Sequence, residues 1–141
     1  VSVDEFQHKV FEGPQTDAMG LRKIWKAIEE KYLPYRHYDG DAFLESGGFW
    51  MQKQHVFLYP FYYVDYALAM TCALQFYLRM RKDFEGTWKD YLKLCQLGGS
   101  LGYKDLLKAV NLKNPFEEET LKEVSEGVME VLEEMEKKLG L

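Results

Sequence analysis

Pro60 introduces the stretch FYYVDYALAMTCALQFYLRMRKD, residues 61–83, and the fold of the chain turns on how it is read. It carries apolar or aromatic side chains on nearly every side of a helical projection, with no glycine or proline inside it. Proline suits the first turn of a helix, because its φ is already helical and its missing N–H would have no partner there. The stretch therefore predicts one long helix that opens at Pro60 and is buried on all faces. Such a helix needs others around it.

The segments on either side supply them. VSVDEFQHKVFE (1–12) places Val3, Phe6, Val10 and Phe11 on one helical face, with Ser2 and Glu5 at capping-box spacing and Gly13-Pro14 as the stop. A second helix starts at Thr16 or Asp17, repeats apolar residues at Leu21, Trp25, Ile28 and Tyr32, and ends before Pro34. Between Tyr35 and Tyr59 the periodicity weakens: YRHYDGD reads as a turn, AFLES as a short helix, and Gly47-Gly48 as its break. Downstream, Phe84, Trp88, Tyr91 and Cys95 form the apolar stripe of an amphipathic helix that Gly98-Gly99 stops. Tyr103 to Val110 form a short helix. The last, starting at Asn114-Pro115 or at Thr120, sets Leu121, Val124, Val128, Leu132, Met135 and Leu139 along one stripe, with Gly140 past its end. No segment alternates with the period of a strand, and no internal repeat is visible. The expected fold is all-α, an irregular multi-helix bundle, with residues 1–141 as a single helical domain or fragment.

Composition narrows the class. At 141 residues and 47% apolar content, the chain can fill one core. Its 23 acidic residues outnumber 18 basic ones without any basic stripe, so nucleic acid is not an expected partner. No apolar run reaches the roughly 18 to 20 residues that cross a bilayer, since the longest, Phe57 to Leu78, is interrupted by Pro60, Asp65 and Gln75. No membrane partner is expected. Cys72 and Cys95 sit in helical, apolar contexts and read as core thiols, which suits a reducing cytoplasm. The N-terminus carries no signal-peptide pattern, and a start at Val1 without methionine suggests a fragment of something longer.

A search for a catalytic engine finds none. An H-E-x-x-H helix would bind zinc through two imidazoles one turn apart, but His8 is followed by Lys9, His37 by Tyr38 and His55 by Val56. Glu5-x-x-His8 has the spacing of half a di-iron site, but no second Glu-x-x-His exists, and a surface histidine near Glu5 and Glu12 is the simpler reading. Neither cysteine has a histidine near in sequence, and LGGSLGY lacks the pattern of a phosphate loop. His37, near Asp39 and Asp41, sits in a polar turn where histidines usually do nothing specific.

What remains is His55 followed by Tyr59, Tyr62, Tyr63 and Tyr66. In a helix these tyrosines fall at i, i+3, i+4 and i+7, on one face, with His55 just before it. Two readings stand. Tyrosines at helical spacing serve a core, their hydroxyls bonded to backbone and water. Alternatively they form a wall of neutral donors able to hold a peptide carbonyl or a developing oxyanion. Asp65, on the other side of that helix, would then support the wall from behind or serve as a salt-bridge partner.

The run HVFLYPFYYVDYALAMTCALQFY (55–77), with VDEFQHKVFE (3–12) upstream and YLKLCQLGGS (91–100) downstream, resembles the C-terminal part of the oligoendopeptidase F family of zinc peptidases. The similarity runs from about Val3 to the last helix and is most specific from His55 to Ala69. The resemblance implies a nearly all-helical fold around a deep channel, with zinc held by an H-E-x-x-H helix and a more distal glutamate that lie before the matched region. In that family, and in the related thimet oligopeptidases, a histidine and tyrosines C-terminal to the metal site bind the substrate backbone and stabilise the tetrahedral intermediate. By resemblance His55 takes the histidine's role, and Tyr62 and Tyr66, or Tyr63 in place of one of them, take the tyrosines', with Tyr59 a further candidate for the channel lining.

The resemblance thus implies a substrate-binding part of a zinc oligopeptidase that hydrolyses short peptides. It is expected to be inactive alone, with no cofactor in this chain, zinc in the parent, and the N-terminal metal-binding part as its partner. A homo-oligomer through the exposed aromatic face is also expected. The competing reading is a free-standing, non-catalytic helical module that binds peptides or a protein.

Overall fold

The computed structural model describes residues 1–140, and among these no strand occurs. The helices are α1 (Ser2–Glu12), α2 (Ala18–Tyr32), α3 (Gln54–Leu58), α4 (Val64–Met80), α5 (Phe84–Leu97), α6 (Tyr103–Ala109) and α7 (Glu118–Leu139). A π-helical turn, Leu44–Gly48, and a 3-10 turn, Phe49–Gln52, lie between α2 and α3. The all-α class predicted from periodicity is the observed one. The chain divides into two compact units, Val1–Ala67 and Leu68–Leu141, with the division inside α4.

In the first unit α1 and α2 bury the faces their periodicity predicts. Val3, Phe6, Trp25, Ile28 and Trp50 form the core, with Val10, Leu21, Tyr32, Val56 and Tyr63 packed around it. Full burial of side chains this size stabilises by roughly 1.5–3 kcal/mol each. Phe6 meets Trp25 edge-on at 5.5 Å and Trp50 at 5.0 Å. Phe11 does not join them and is 61% exposed. Asp17, one of the two predicted caps, accepts a hydrogen bond from Gly20 N at 2.7 Å. The Ser2–Glu5 capping box does not form: Val1 occupies the cap position without a side-chain bond. Glu5 instead accepts from Tyr32 Oη at 2.6 Å and pairs with Lys31 and Lys9, so its carboxylate is engaged by these donors.

The irregular stretch after α2 is pinned by buried Glu29, which accepts from Tyr38 and from Arg36. Burial and this bond push the Tyr38 hydroxyl's pKa up. Asp39 and Gly40 both have positive φ, so YDGD is the tight turn that its composition predicts. Instead of a short α-helix, AFLES runs into the π-turn, and Gly47 stands there at φ 90°. A Cβ on Gly47 would lie 2.2 Å from the carbonyl oxygen of Arg22, so only glycine lets this turn close against α2.

The second unit is built on Phe76, Leu107, Val110 and Leu112, with Cys72, Leu94 and Ala109 around them. Two polar side chains of α4 stitch it. Gln75 exchanges two hydrogen bonds with the Lys113 backbone at 2.8 and 3.0 Å, and Arg79 donates to the carbonyls of Val110 and Asn111 and to Asp90. Buried polar groups are tolerated when so satisfied.

Three predicted faces turn out otherwise. α4 is not buried all round: within it only Gln75 and Phe76 are buried, while Tyr66, Met70 and Tyr77 are exposed, because it carries more apolar surface than these residues cover. α5 turns Thr87, Asp90 and Leu94 inward, since Asp90 is drawn to Arg79 and Asn111, and this leaves Phe84, Trp88, Tyr91 and Cys95 outside. Cys95 is thus an exposed thiol and not a core one; Cys72 is half-buried, 3.5 Å from Tyr103 Oη. α7 buries Val124 and half-buries Val128 of the predicted stripe but turns Thr120 and Val131 inward beside them, where Gly127 lets it approach Leu78 closely. Leu121, Leu132, Met135 and Leu139 are exposed. No helix is long and apolar enough to cross a membrane among the described residues.

Candidate functional site

The segment holding His55 and the tyrosines is broken where one helix was expected. α3 ends at Leu58, α4 begins at Val64, and residues 59–63 form a turn. The break has a local cause. Phe61 has φ 63°, which no right-handed helix accommodates, and Tyr59 before Pro60 is non-helical at φ −140°, ψ 68°. Two i to i+3 bonds close the turn, Tyr62 N to Tyr59 O at 3.2 Å and Asp65 N to Tyr62 O at 3.0 Å. Pro60 is therefore a turn residue and not the first residue of the long helix.

The turn brings together what helical spacing alone does not. His55 sits inside α3, whose Val56 packs on the core and whose Phe57 stacks on Trp50 at 5.7 Å. All four tyrosine rings meet the His55 imidazole. Tyr62 lies parallel to it at 5.8 Å, Tyr63 and Tyr66 stand edge-on at 5.1 and 5.7 Å, and Tyr59 is tilted at 6.1 Å. Tyr66 also packs edge-on against Tyr62 and Tyr63. Tyr66 Oη is 3.4 Å from His55 Nε2, a long hydrogen bond. Tyr63 packs on the core and fixes the cluster from below, while Tyr59, Tyr62 and Tyr66 are about half exposed or more. The result is a wall of phenol hydroxyls and one imidazole: donors and acceptors packed together by ring contacts and partly open to solvent. Asp65 is exposed in the first turn of α4, where its carboxylate meets the positive end of the helix dipole.

The other candidates disperse. His8 Nδ1 is 2.7 Å from Glu12 and its Nε2 is 3.9 Å from Asp4, while Glu5 turns to Tyr32, so Glu5-x-x-His8 is not a ligand pair. The Glu12 hydrogen bond holds the His8 pKa above its usual range. His37 is exposed, and Gly98 ends α5 at φ 50° as a plain helix stop. Among the described residues no group of three or more His, Cys, Asp or Glu could hold a metal ion. In the second unit a groove of about 590 Å3 is lined by Arg79, Arg81, Lys82, Glu126, Glu130 and Glu134, where Arg81 pairs with Glu134. What sequence reasoning did not find is Phe61: nothing in YPFYY marks the phenylalanine as the residue that turns left-handed.

No protein-family model matches the chain, and no curated protein does. Solved structures do. A protein assigned as an oligoendopeptidase F superposes with a TM-score of 0.87 at 42% identity, over 94% of this chain and 23% of that one. PZ peptidase A, solved with an inhibitor, matches with a TM-score of 0.88 at 43% identity, over 94% and 24%. A further protein assigned as an oligoendopeptidase F, from Bacillus anthracis str. Ames, matches with a TM-score of 0.70 at 38% identity, over 94% and 20%. The chain thus spans between a fifth and a quarter of the length of these structures. Identity at this level along nearly the whole chain, together with the shared fold, means that the chain corresponds to a segment of the oligoendopeptidase F structures.

Proposed function

We propose that this chain is the C-terminal, substrate-binding part of an oligopeptidase that hydrolyses short peptides, and that His55, Tyr59, Tyr62, Tyr63 and Tyr66 are its substrate wall. The observation that carries the reading is the enclosure of one imidazole by four tyrosine rings within 5.1–6.1 Å, with three of the phenols largely open to solvent. A core cluster would hide these hydroxyls. A peptide strand laid along the wall finds donors for its carbonyls and an acceptor for an N–H. The phenols supply these without a fixed charge that would have to be desolvated. The Tyr62 and Tyr66 hydroxyls could also strengthen their bond to a carbonyl oxygen as negative charge develops on it, and binding of that kind favours reaction.

The chain's own residues bind and orient. With no H-E-x-x-H in the sequence and no metal-ligand group among the described residues, we assign the zinc of the parent enzyme to its remaining, N-terminal part and expect no hydrolysis from this chain alone. Cys72 and Cys95, both free thiols, support a reducing compartment such as the cytoplasm.

The reading is tested by titrating the chain with a short peptide and following tryptophan fluorescence, since Trp50 stacks on Phe57 of α3. Replacing both Tyr62 and Tyr66 by phenylalanine is expected to weaken binding about tenfold, equivalent to the loss of about 1.4 kcal/mol, while the thermal midpoint stays near that of the parent chain. A lowered midpoint with unchanged binding would assign these tyrosines to stability alone. Binding by the isolated chain that is tight and metal-independent would favour the free-standing module.

A further inference from the structure

We propose that His8 and Phe11 of α1 are positioning residues, whose rings clamp Phe61 in its left-handed backbone conformation and so hold the tyrosine wall around His55. The functional weight of this clamp rests on the binding role proposed above, whereas its geometry does not.

The starting point is the cost of the turn. A bulky aromatic residue at φ 63° is a genuine outlier, because its Cβ crowds the backbone, and it persists only when its surroundings over-determine it. The turn's own two hydrogen bonds flank Phe61 but do not involve its amide or carbonyl, so they leave its side chain as the means of holding it. That side chain leaves the wall and reaches back to α1. Its ring centroid lies 4.9 Å from the His8 ring and 5.3 Å from the Phe11 ring, both at tilted angles.

α1 is built for two tasks. Val3, Phe6, Gln7 and Val10 serve the core, and His8 and Phe11, one turn apart, face elsewhere. Phe11, 61% exposed, is otherwise an unexplained surface phenylalanine. His8 is oriented by a carboxylate of its own helix, Glu12, hydrogen-bonded at Nδ1 at 2.7 Å, with Asp4 3.9 Å from Nε2 on the other side of the ring that meets Phe61. The same carboxylates favour the imidazolium, and a cation beside an aromatic ring adds an electrostatic attraction. The consequence reaches His55 because Phe61 is followed directly by Tyr62 and Tyr63. If its backbone relaxed to a right-handed or extended conformation, both rings would swing away from the imidazole that they now enclose.

The test uses NMR on the full chain. The tyrosine rings around His55, with Tyr62 parallel to it, should shift the His55 ring-proton resonances away from their random-coil positions. In a His8→Ala/Phe11→Ala double variant, and in Phe61→Ala, which removes the ring but keeps the Cβ that strains the backbone at φ 63°, these resonances are expected to return most of the way to random coil, with binding of an acetylated tetra-alanine amide weakened at least fivefold. Phe61→Tyr, which keeps the ring, is expected to retain both. Both clamp residues lie on the surface, so far-UV circular dichroism should show the helices retained. His55 shifts that stay unchanged in both the double variant and Phe61→Ala would overturn the proposal, as would a Phe61→Tyr chain that behaves like Phe61→Ala. If the shifts respond as expected but the parent chain binds no peptide, the clamp stands and the substrate-wall reading fails.

Discussion

Glu5 shows how much one side chain contributes once its partners are known. The Tyr32 hydroxyl, then Lys9 and Lys31, hold its carboxyl at a pKa of about 2, against an ordinary 4.5. A carboxyl whose pKa is lower in the folded state binds protons more readily in the unfolded chain, so folding stability falls with acid. The contribution of Glu5 is complete above about pH 4.5 and is lost as the pH drops toward 2. Acid titration of the unfolding midpoint should therefore show a steep loss in that window, which Glu5→Gln flattens. Tyr32→Phe removes the largest cause and is expected to cost about 1–2 kcal/mol at neutral pH, read from urea unfolding. A Tyr32→Phe chain with the same acid profile as the parent would place the effect elsewhere. None of this was legible in the sequence. Ser2 and Glu5 have the spacing of a capping box, and local spacing could not reveal that a tyrosine 27 positions away would win the carboxylate. The same limit applies at His55: the identities of the wall residues are readable, but the turn that gathers them depends on the φ of Phe61.

Among the elements, those with strong periodicity and a proper stop were read correctly. α2 has its Asp17 cap and its Trp25 and Ile28 face, and α5 has its terminal Gly98, because caps and breakers are local chemistry. Which face an element buries was not readable where two faces are apolar. α5 and α7 both carry such faces, and the choice was made by partners distant in sequence: Arg79 and Asn111 for Asp90, and Leu78 for Gly127. The π-turn at Leu44–Gly48 belongs to the same class, since Gly47 is recognisable as a breaker but not as the residue on which α2 rests. Its role makes a paired prediction. Gly47→Ala must both hold φ 90° and fit a Cβ 2.2 Å from the Arg22 carbonyl, so it should destabilise by roughly 2–4 kcal/mol. Gly40→Ala meets nothing within 4 Å and bears only the backbone cost at φ 89°, roughly 1 kcal/mol. Thermal midpoints of the two variants compared with the parent separate contact from conformation. Equal losses would mean that the π-turn does not depend on close approach to α2.

At the scale of the whole molecule the notable quantity is uncovered apolar surface. Tyr59, Tyr62 and Tyr66 around His55, Phe84 and Trp88 on α5, and Leu121, Leu132 and Met135 on α7 are each at least 40% exposed. Surface of this kind is costly in water and drives association when a complementary patch is available. The solved structures that the chain matches are more than four times as long as the matched segment. Alone, the chain should cover some of them with a second copy of itself. We expect the tyrosine face to be used, since phenols keep their hydroxyls hydrated at the rim while burying their rings, as interface tyrosines do. Sedimentation velocity should then show a species heavier than 16.6 kDa whose fraction grows with concentration. Replacing Tyr62 by serine should shift it back toward monomer, whereas Trp88→Ser should not. Because the same face is the proposed peptide wall, a saturating short peptide should also dissociate the dimer, linking the two equilibria by competition. A clean monomer at high concentration would contradict self-association outright. A dimer that responds to Trp88→Ser but not to Tyr62→Ser would move the contact to α5 and leave the wall free for substrate.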